Sequence, residues 1–139
     1  MIGHAIEVGW KSSVEVKVTD KMVRQFAEMS GDHNPIHLDD DYAAKTRFKR
    51  RIAHGMISAA LISRSLIETI GPGGVYLGQT MKFVNPVFID DTIVIELEAI
   101  NVRKEKGIVM LTTNVRKKDG DYVVKGEATV MLSSIEPKS

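Results

Sequence analysis

The sequence HGMISAALISRSLIETIGPGG, residues 54–74, decides the fold. Its apolar residues recur at helical spacing and would cover well over half of a helix surface: Met56, Ile57, Ala59, Ala60, Ile62, Leu66, Ile67 and Ile70. Gly71-Pro72-Gly73-Gly74 then ends the predicted helix, because these residues do not favour helical backbone. A helix with so wide an apolar surface must be covered on most sides, so other elements are expected to wrap around it.

The chain beyond residue 74 changes to the two-residue period that is typical of strands. Val75, Leu77, Met81 and Phe83 are predicted on one face of a first strand, and Ile93, Ile95, Leu97 and Ala99 on one face of a second. A turn at 104–107 precedes a hairpin formed by 108–117 and 122–132, which the Asp119-Gly120 step joins. The pattern predicts an α+β fold, with a curved antiparallel sheet around the long central helix.

The N-terminal part of the chain is predicted to be mainly helical. A short strand from Ser13 to Val18 leads to Thr19-Asp20, which is a typical helix start, and Gly31 is the expected end of that helix. A short helical segment is expected at 39–46, after a turn at Pro35, a residue that we expect to prevent regular helix.

Composition places the 139 residues among folded globular proteins, with 43% hydrophobic and 27% charged residues, and one domain over 1–139 is expected. The net charge of +1 gives no general argument for nucleic acid or an anionic membrane as partner. Cysteine is absent, and the N-terminus lacks the pattern of a secretory signal, so a cytoplasmic location is expected. The stretch from Gly55 to Ile70 is too short and too polar to span a membrane.

Asp32 and His37 flank the dipeptide Asn34-Pro35 just beyond the predicted helix end. A bend there lets a carboxylate and an imidazole face one small volume, where the pair could hold a water molecule for general acid–base chemistry. The alternative is an Asp that caps a turn and a His that packs in the protein, and the spacing alone favours that alternative.

A metal site is an alternative for this segment, because His33 and His37 are four residues apart and the acidic residues 39–41 follow. Pro35 lies between the two histidines, so they are not expected to share a helix face, and the acidic residues lack the pattern of a calcium loop. No metal is therefore expected.

Five cations fall within residues 45–51, and the helix start His54-Gly55 follows. Lys49, Arg50 and Arg51 are candidate contacts for a phosphorylated ligand, although a solvated basic surface is an equally good interpretation. Gly55 would leave a helix N-terminal amide accessible to an oxyanion, unless it is simply a glycine near a helix start.

Several segments, in this order and at these separations, resemble the MaoC-like, (R)-specific enoyl-CoA hydratase family. They are Phe26-Ala27, Ser30-Gly31-Asp32-His33-Asn34-Pro35-Ile36-His37, Ile52-Ala53-His54-Gly55-Met56, Tyr76-Leu77-Gly78-Gln79 and Asn85-Pro86-Val87-Phe88. One departure is Arg50-Arg51, where the family usually has Arg-Pro before Ile-Ala-His-Gly.

The resemblance implies a hot-dog fold and a homodimer, or a higher homo-oligomer, with edge-to-edge sheets and an acyl-CoA tunnel. It implies reversible syn hydration of a trans-2-enoyl-CoA to the (R)-3-hydroxyacyl-CoA, without a cofactor other than the CoA of the substrate. It also implies that Asp32 and His37 are the catalytic pair, that the Gly55 amide is the oxyanion donor with Ser63 as a supporting hydroxyl, and that Asn34 and His54 belong to the substrate-binding site.

Two alternative functions are kept, and a third, thioester hydrolysis, is disfavoured. A dehydratase acting on acyl carrier protein would use the same pair in the reverse direction, and a non-catalytic acyl-CoA-binding module would not need it. A thioesterase usually has a carboxylate on the central helix, where the only acid is Glu68, near the far end.

Overall fold

Five antiparallel strands and one long helix form the frame of the protein in a computed structural model that describes residues 3–134. In chain order the elements are a 3-10 turn at Gly3–Ala5, β1 Lys11–Lys17, α1 Asp20–Ser30, α2 Pro35–Leu38, α3 Asp40–Ala44, α4 Gly55–Ile70, β2 Val75–Phe83, β3 Thr92–Arg103, β4 Ile108–Lys117 and β5 Tyr122–Met131. The strands lie in the order β1-β3-β4-β5-β2. This is the predicted α+β arrangement of a hot-dog fold.

Helix α4 packs in the core through part of its predicted apolar surface, since Ile57, Ile62, Leu66 and Ile70 are buried while Met56 and Ile67 are exposed. Ile62 and Leu66 are fully buried, and they share one core with Ile93, Ile95 and Leu97 of β3. Each fully buried side chain of this size stabilises the fold by roughly 1.5–3 kcal/mol relative to an exposed one. The core therefore fixes α4 against the sheet.

Two buried hydroxyls on α4 are satisfied within the helix itself. Ser65 Oγ donates to the Leu61 carbonyl at 2.9 Å, and Thr69 Oγ1 donates to the Ser65 carbonyl at 2.8 Å. Such bonds to the preceding turn let small polar residues lie in a core without an unpaired group. The helix can thus be buried on most sides although it is not wholly apolar.

Helix α1 begins and ends as the sequence predicted. The Thr19 hydroxyl accepts a hydrogen bond from the Met22 N–H at 3.2 Å, and Gly31 ends the helix with a left-handed φ of 78°. No helix within residues 3–134 is both long and apolar enough to cross a membrane.

Strand β2 differs from the predicted pattern in which of its side chains face the core. The register shifts between Tyr76 and Gly78, so that Val75 and Leu77 are about half exposed while Tyr76 packs against the core. The predicted common face of Val75, Leu77, Met81 and Phe83 is therefore wrong, because one extra residue in the strand reverses the alternation. The predicted face of β3 is confirmed, since Ile93, Ile95, Leu97 and Ala99 are all buried.

Gly126 of β5 provides a stability test of the sheet. A Cβ atom there would lie 2.2 Å from the Thr80 carbonyl oxygen of β2, a backbone atom that cannot move without disturbing the strand pair. We expect Gly126→Ala to lower the free energy of unfolding by about 1–3 kcal/mol or more, measured by urea denaturation.

Gly120→Ala is the matched control, because its added methyl would meet Lys117 Cβ at an ordinary 3.6 Å. Equal midpoints for the two variants would contradict the close packing of β2 against β5.

Candidate active site

The loop after α1 carries Asp32. Gly31 turns the chain, and its N–H donates to the Ala27 carbonyl at 2.9 Å, which leaves Asp32 just outside the helix. One Asp32 carboxylate oxygen accepts from the Asn34 N–H at 3.2 Å, as in an Asx turn, and the residue is exposed. The turn interpretation of Asp32 is therefore correct for its local geometry, and it leaves the second carboxylate oxygen available.

A short helix, α2, carries His37. Asn34 caps it, since its side-chain oxygen accepts from the Ile36 N–H at 3.2 Å, and Pro35 occupies the first helical position. The expectation that Pro35 prevents helix is wrong here, because the first residue of a helix needs no N–H donor. Pro35 instead starts the turn, and His37 follows on its buried side.

Two hydrogen bonds connect α2 to the extended segment before α4. His37 Nδ1 lies 2.7 Å from the Ile52 carbonyl oxygen, and the Ile52 N–H donates to the Ile36 carbonyl at 3.3 Å. Because a carbonyl oxygen only accepts, Nδ1 of His37 must carry the proton. In the neutral ring, the lone pair is consequently on Nε2.

His54 lies directly against His37. The centroids of these two rings are 3.9 Å apart, and their planes are inclined by 30°. The ring of Phe26 also packs against His54, with the two centroids 4.8 Å apart. His54 Nε2 donates to the Asp32 carbonyl at 3.0 Å, so the residue before α4 also holds the Asp32 turn. His54 Nδ1 is buried and has no hydrogen-bond partner within residues 3–134.

The surroundings of His37 favour its neutral form. Burial lowers the pKa of His37 below its ordinary value of 6.5, and the nearby His54 and Arg51 lower it further. The hydrogen bond with Ile52 and the carboxylate of Asp32 act in the opposite direction without reversing the lowered pKa. At neutral pH the ring can therefore accept a proton or a hydrogen bond at Nε2.

Asp32, His37 and His54 form one cluster, because ligand atoms of the three side chains lie within 4.8 Å of one another. His33, the other candidate for a metal, is exposed and outside this cluster. The imidazole lone pairs lie in the ring planes, and the two rings are stacked, so the lone pairs do not converge well on one ion. The arrangement suits hydrogen bonding to a water molecule better than metal ligation.

A cleft of about 370 Å³ opens beside this cluster at the N-terminus of α4. We call it the Gly55 cleft, and its walls include His37, His54, Gly55, Ser58 and Phe83. The Gly55 amide has no acceptor among residues 3–134, as expected for the first N–H of a helix. A Cβ at position 55 would lie 2.8 Å from the Phe83 ring, so glycine is needed for this close packing.

Ser58 is a polar residue of the Gly55 cleft that the sequence analysis missed. It is buried, and its hydroxyl has no hydrogen-bond partner within residues 3–134, unlike those of Ser65 and Thr69. Its position one turn after Gly55 was the available signal. The predicted hydroxyl, Ser63, is half-buried and does not line the cleft, since eight residues of helix separate it from Gly55 by roughly 12 Å.

The three cations proposed for phosphate contact have different environments. Lys49 and Arg50 are exposed, and the Arg50 guanidinium lies 3.9 Å from the centre of the Phe88 ring. Arg51, in contrast, is buried and forms an ion pair with Asp20, which argues against the predicted contact of this residue with a CoA phosphate. The guanidinium is already engaged inside the protein.

Comparison with known proteins agrees with the fold and the motifs. The family described as MaoC like domain matches residues 2–121. The (R)-specific enoyl-CoA hydratase of Aeromonas caviae is 41% identical over 133 residues, which are 95% of this chain and 99% of that protein. The mitochondrial 3-hydroxyacyl-[acyl-carrier-protein] dehydratase FERN of Solanum lycopersicum is 38% identical over 84% of this chain and 71% of that protein.

Among solved structures, the unliganded R-hydratase PhaJ1 of Pseudomonas aeruginosa is similar to this fold. It superposes with a TM-score of 0.90 and 41% identity, covering 99% of this chain and 96% of that chain. The match of sequence and fold extends over nearly the whole chain, and so this protein belongs to the MaoC-like domain family.

Proposed function

We propose that this protein is an (R)-specific enoyl-CoA hydratase, which adds water reversibly to a trans-2-enoyl-CoA. One observation carries the proposal: the Asp32 carboxylate lies within 4.8 Å of a neutral His37, and His37 lines the same cleft as Gly55, whose amide is free. Hydration needs a group that activates water and a donor for the thioester oxygen. The near full-length similarity to the Aeromonas caviae hydratase supports this choice of reaction.

In the proposed mechanism, water is held between Asp32 and His37. The Ile52 carbonyl fixes the proton of His37 on Nδ1, so Nε2 accepts a hydrogen bond from the water and orients it. Asp32 accepts a proton as the water oxygen bonds to C3 of the substrate. The same proton then passes from Asp32 to C2 on the same face, which gives syn addition and returns Asp32 to its carboxylate form.

The negative charge that develops on the thioester oxygen is assigned to the Gly55 amide. This N–H is the first of α4, where the helix dipole also favours negative charge. Loss of one such donor typically lowers the rate by about 10²–10³-fold. Addition of water is redox-neutral, so the reaction needs no electron carrier, and CoA enters as part of the substrate.

The basic residues at the edge of the cleft fit the phosphates of CoA. Arg47 lines the Gly55 cleft, and Lys49 and Arg50 are exposed nearby in the chain. We retain Lys49 and Arg50 as phosphate contacts and exclude Arg51 because of its buried ion pair.

Acyl carrier protein is the alternative carrier, and the tomato dehydratase is the relative that favours it. The chemistry at Asp32 and His37 would be the same, because CoA and acyl carrier protein both present a thioester. Initial rates with crotonyl-CoA and with the crotonyl thioester of acyl carrier protein, at equal concentrations, distinguish the two. We expect the CoA thioester to be the better substrate.

The first test is the reaction itself. With crotonyl-CoA we expect the absorbance of the conjugated enoyl thioester to fall without release of free thiol. Asp32→Asn removes the proposed base and is expected to lower kcat by about 10²–10⁴-fold, with the fold retained because Asp32 is exposed.

Asp41→Asn is the control for Asp32→Asn, since Asp41 is another exposed carboxylate, in the first turn of α3. It should hydrate crotonyl-CoA at the parent rate. Thiol release by the parent, or full hydration by Asp32→Asn, would contradict the proposed mechanism.

The second test is the pH dependence of hydration. His37 must be neutral to orient the water, and burial lowers the pKa of His37 below 6.5. Consequently kcat/KM should be constant at neutral pH and should fall as the pH drops through the lowered His37 pKa. NMR titration of the histidine rings measures that pKa independently, and a His37 pKa above 6.5 would contradict the assignment.

We further propose that the protein is cytoplasmic and that it forms a homodimer. In this dimer, the sheets of the two copies join at their β2 edges. Strand β2 has no partner on its outer side among residues 3–134, and Val75, Leu77 and Phe83 on this strand are about half exposed. The opposite edge, β1, has the sequence KSSVEVK, whose charges disfavour pairing between edges. The β2 edge is the one suited to a second copy.

The dimer is tested by Leu77→Lys, which places a charge on the proposed edge. We expect the dimer dissociation constant to rise at least tenfold, measured by sedimentation equilibrium, because a desolvated cation opposes association by more than about 1.4 kcal/mol. Val8→Lys is the control, since Val8 is 65% exposed but lies outside β2. Equal dissociation constants for the two variants would contradict the β2 interface.

A further inference from the structure

Arg51 differs from the other cations of the basic segment because its side chain lies inside the protein. Only 8% of it is exposed. Its Nε–H donates to the His37 carbonyl at 2.7 Å, its Nη2 forms the ion pair with Asp20, and its Nη1 lies 3.9 Å from Asp40. One guanidinium thus links the first residue of α1, the helix α2 and the first residue of α3.

The dipeptide Arg51-Ile52 holds His37 at two places. The Ile52 carbonyl accepts from the imidazole, whereas the Arg51 side chain donates to the backbone carbonyl of the same histidine. The Ile52 N–H also donates to the Ile36 carbonyl. Three hydrogen bonds from adjacent residues therefore determine the position of α2, the ring orientation of His37 and its tautomer.

The ion pair with Asp20 keeps the Arg51 guanidinium in this place. A buried cation is costly unless it is paired and hydrogen-bonded, and both conditions are met here. Asp20 also accepts from Arg24 at 3.0 Å, and hydrogen bonding to Arg51 is the main cause that lowers the pKa of Asp20. The acceptor for Arg51 is therefore ionised throughout the neutral range.

Arginine suits this position better than lysine would. The planar guanidinium presents donors in fixed and different directions, so it can bond to the His37 carbonyl and to Asp20 at the same time. A lysine ammonium keeps the charge, but its flexible stem does not fix two acceptors in this geometry.

We propose that Arg51 is a positioning residue for His37, which holds the imidazole in the orientation that hydration requires. The proposal rests on the proposed hydratase function for its kinetic consequences, but the state of the His37 ring can be measured without any substrate. Arg51 itself is too deeply engaged to contact the substrate.

The critical variant is Arg51→Met, which keeps a long apolar stem and removes the guanidinium. We expect kcat for crotonyl-CoA to fall about tenfold or more with KM changed less than about twofold, because small displacements of a catalytic group reduce the rate without removing binding contacts. Arg51→Lys is expected to give an intermediate kcat. Rates are compared per folded molecule, at a temperature well below the melting temperature of each variant.

Nitrogen-15 NMR of the histidine side chains provides the substrate-free readout. In the parent we expect His37 to be neutral with its proton on Nδ1, and in Arg51→Met we expect a mixture of tautomers. The pKa of His37 should fall further in Arg51→Met, because a weakened bond to the Ile52 carbonyl removes a larger cause that raises this pKa than the lowering cause that is lost with the Arg51 charge. Burial and His54 would still lower it, and Asp32 would still oppose them.

Arg24→Met is the matched control, because Arg24 is the exposed second partner of Asp20 and has no described contact with His37. It should keep the parent kcat, His37 pKa and tautomer. If Arg51→Met kept all three as well, with only its melting temperature lowered, Arg51 would be a purely structural residue and the proposal would be wrong.

Two further outcomes are informative. Should Arg51→Met fail to fold, Asp20→Asn removes the ionic partner at a half-exposed site and is expected to lower kcat about threefold and to mobilise the His37 ring. An unchanged kcat and tautomer in Asp20→Asn would overturn the proposal. A parent without hydratase activity would refute the proposed function, while the NMR comparison would still test whether Arg51 fixes His37.

Discussion

The wide apolar surface of α4 is the constraint on which the rest of the structure depends. Its side chains can be buried only if the sheet curves around the helix and other elements cover what the sheet leaves open. The segment comprising α1, α2 and α3 lies near the N-terminal end of α4, where backbone amides have no intrahelical acceptors. The position of the site is therefore a consequence of how the core is closed.

The same closure explains why the site contains two stacked histidines. His54 precedes α4 and His37 belongs to α2, so their contact is also the contact between the helix start and the covering segment. Each ring donates to a backbone carbonyl of the other part of the chain, His37 to Ile52 and His54 to Asp32. Burial of the His37 ring in this contact lowers the pKa of His37, so the packing itself favours the neutral form of that ring.

The sequence was informative wherever a periodic pattern corresponded to burial. It predicted α4, α1 with its Thr19 cap, the hairpin of β4 and β5, and the buried face of β3, because in each case apolar spacing and turn residues indicate the same element. It failed at β2, since a bulge depends on how two strands pair and not on the residues of one strand. The proximity of Asp32 and His37 followed from the bend at Pro35, but the role of Pro35 as a helix start did not.

Site residues could be predicted from the sequence where their position depends on nearby residues, as it does at a helix end. Gly55 and the Asp32 turn lie at helix ends, whose chemistry is local, whereas the only sequence signal for Ser58 is its position one turn after Gly55. The prediction for Ser63 came from resemblance alone, and the position of that residue along α4 separates it from the cleft within one chain. A residue role taken from resemblance thus needs a geometric check before it is assigned to the site.

Arg50 and Arg51 show most clearly what a linear pattern cannot resolve. Both belong to the same run of cations, but Ile52, the next residue, pairs with Phe88 in an isolated bridge. Arg50 lies in a bend with its guanidinium over the Phe88 ring, whereas the Arg51 side chain is directed inward, towards Asp20. A run of cations in the sequence is therefore a poor guide to phosphate binding here. One of the two neighbouring arginines is buried, where it bonds to the His37 carbonyl and is not available to a ligand.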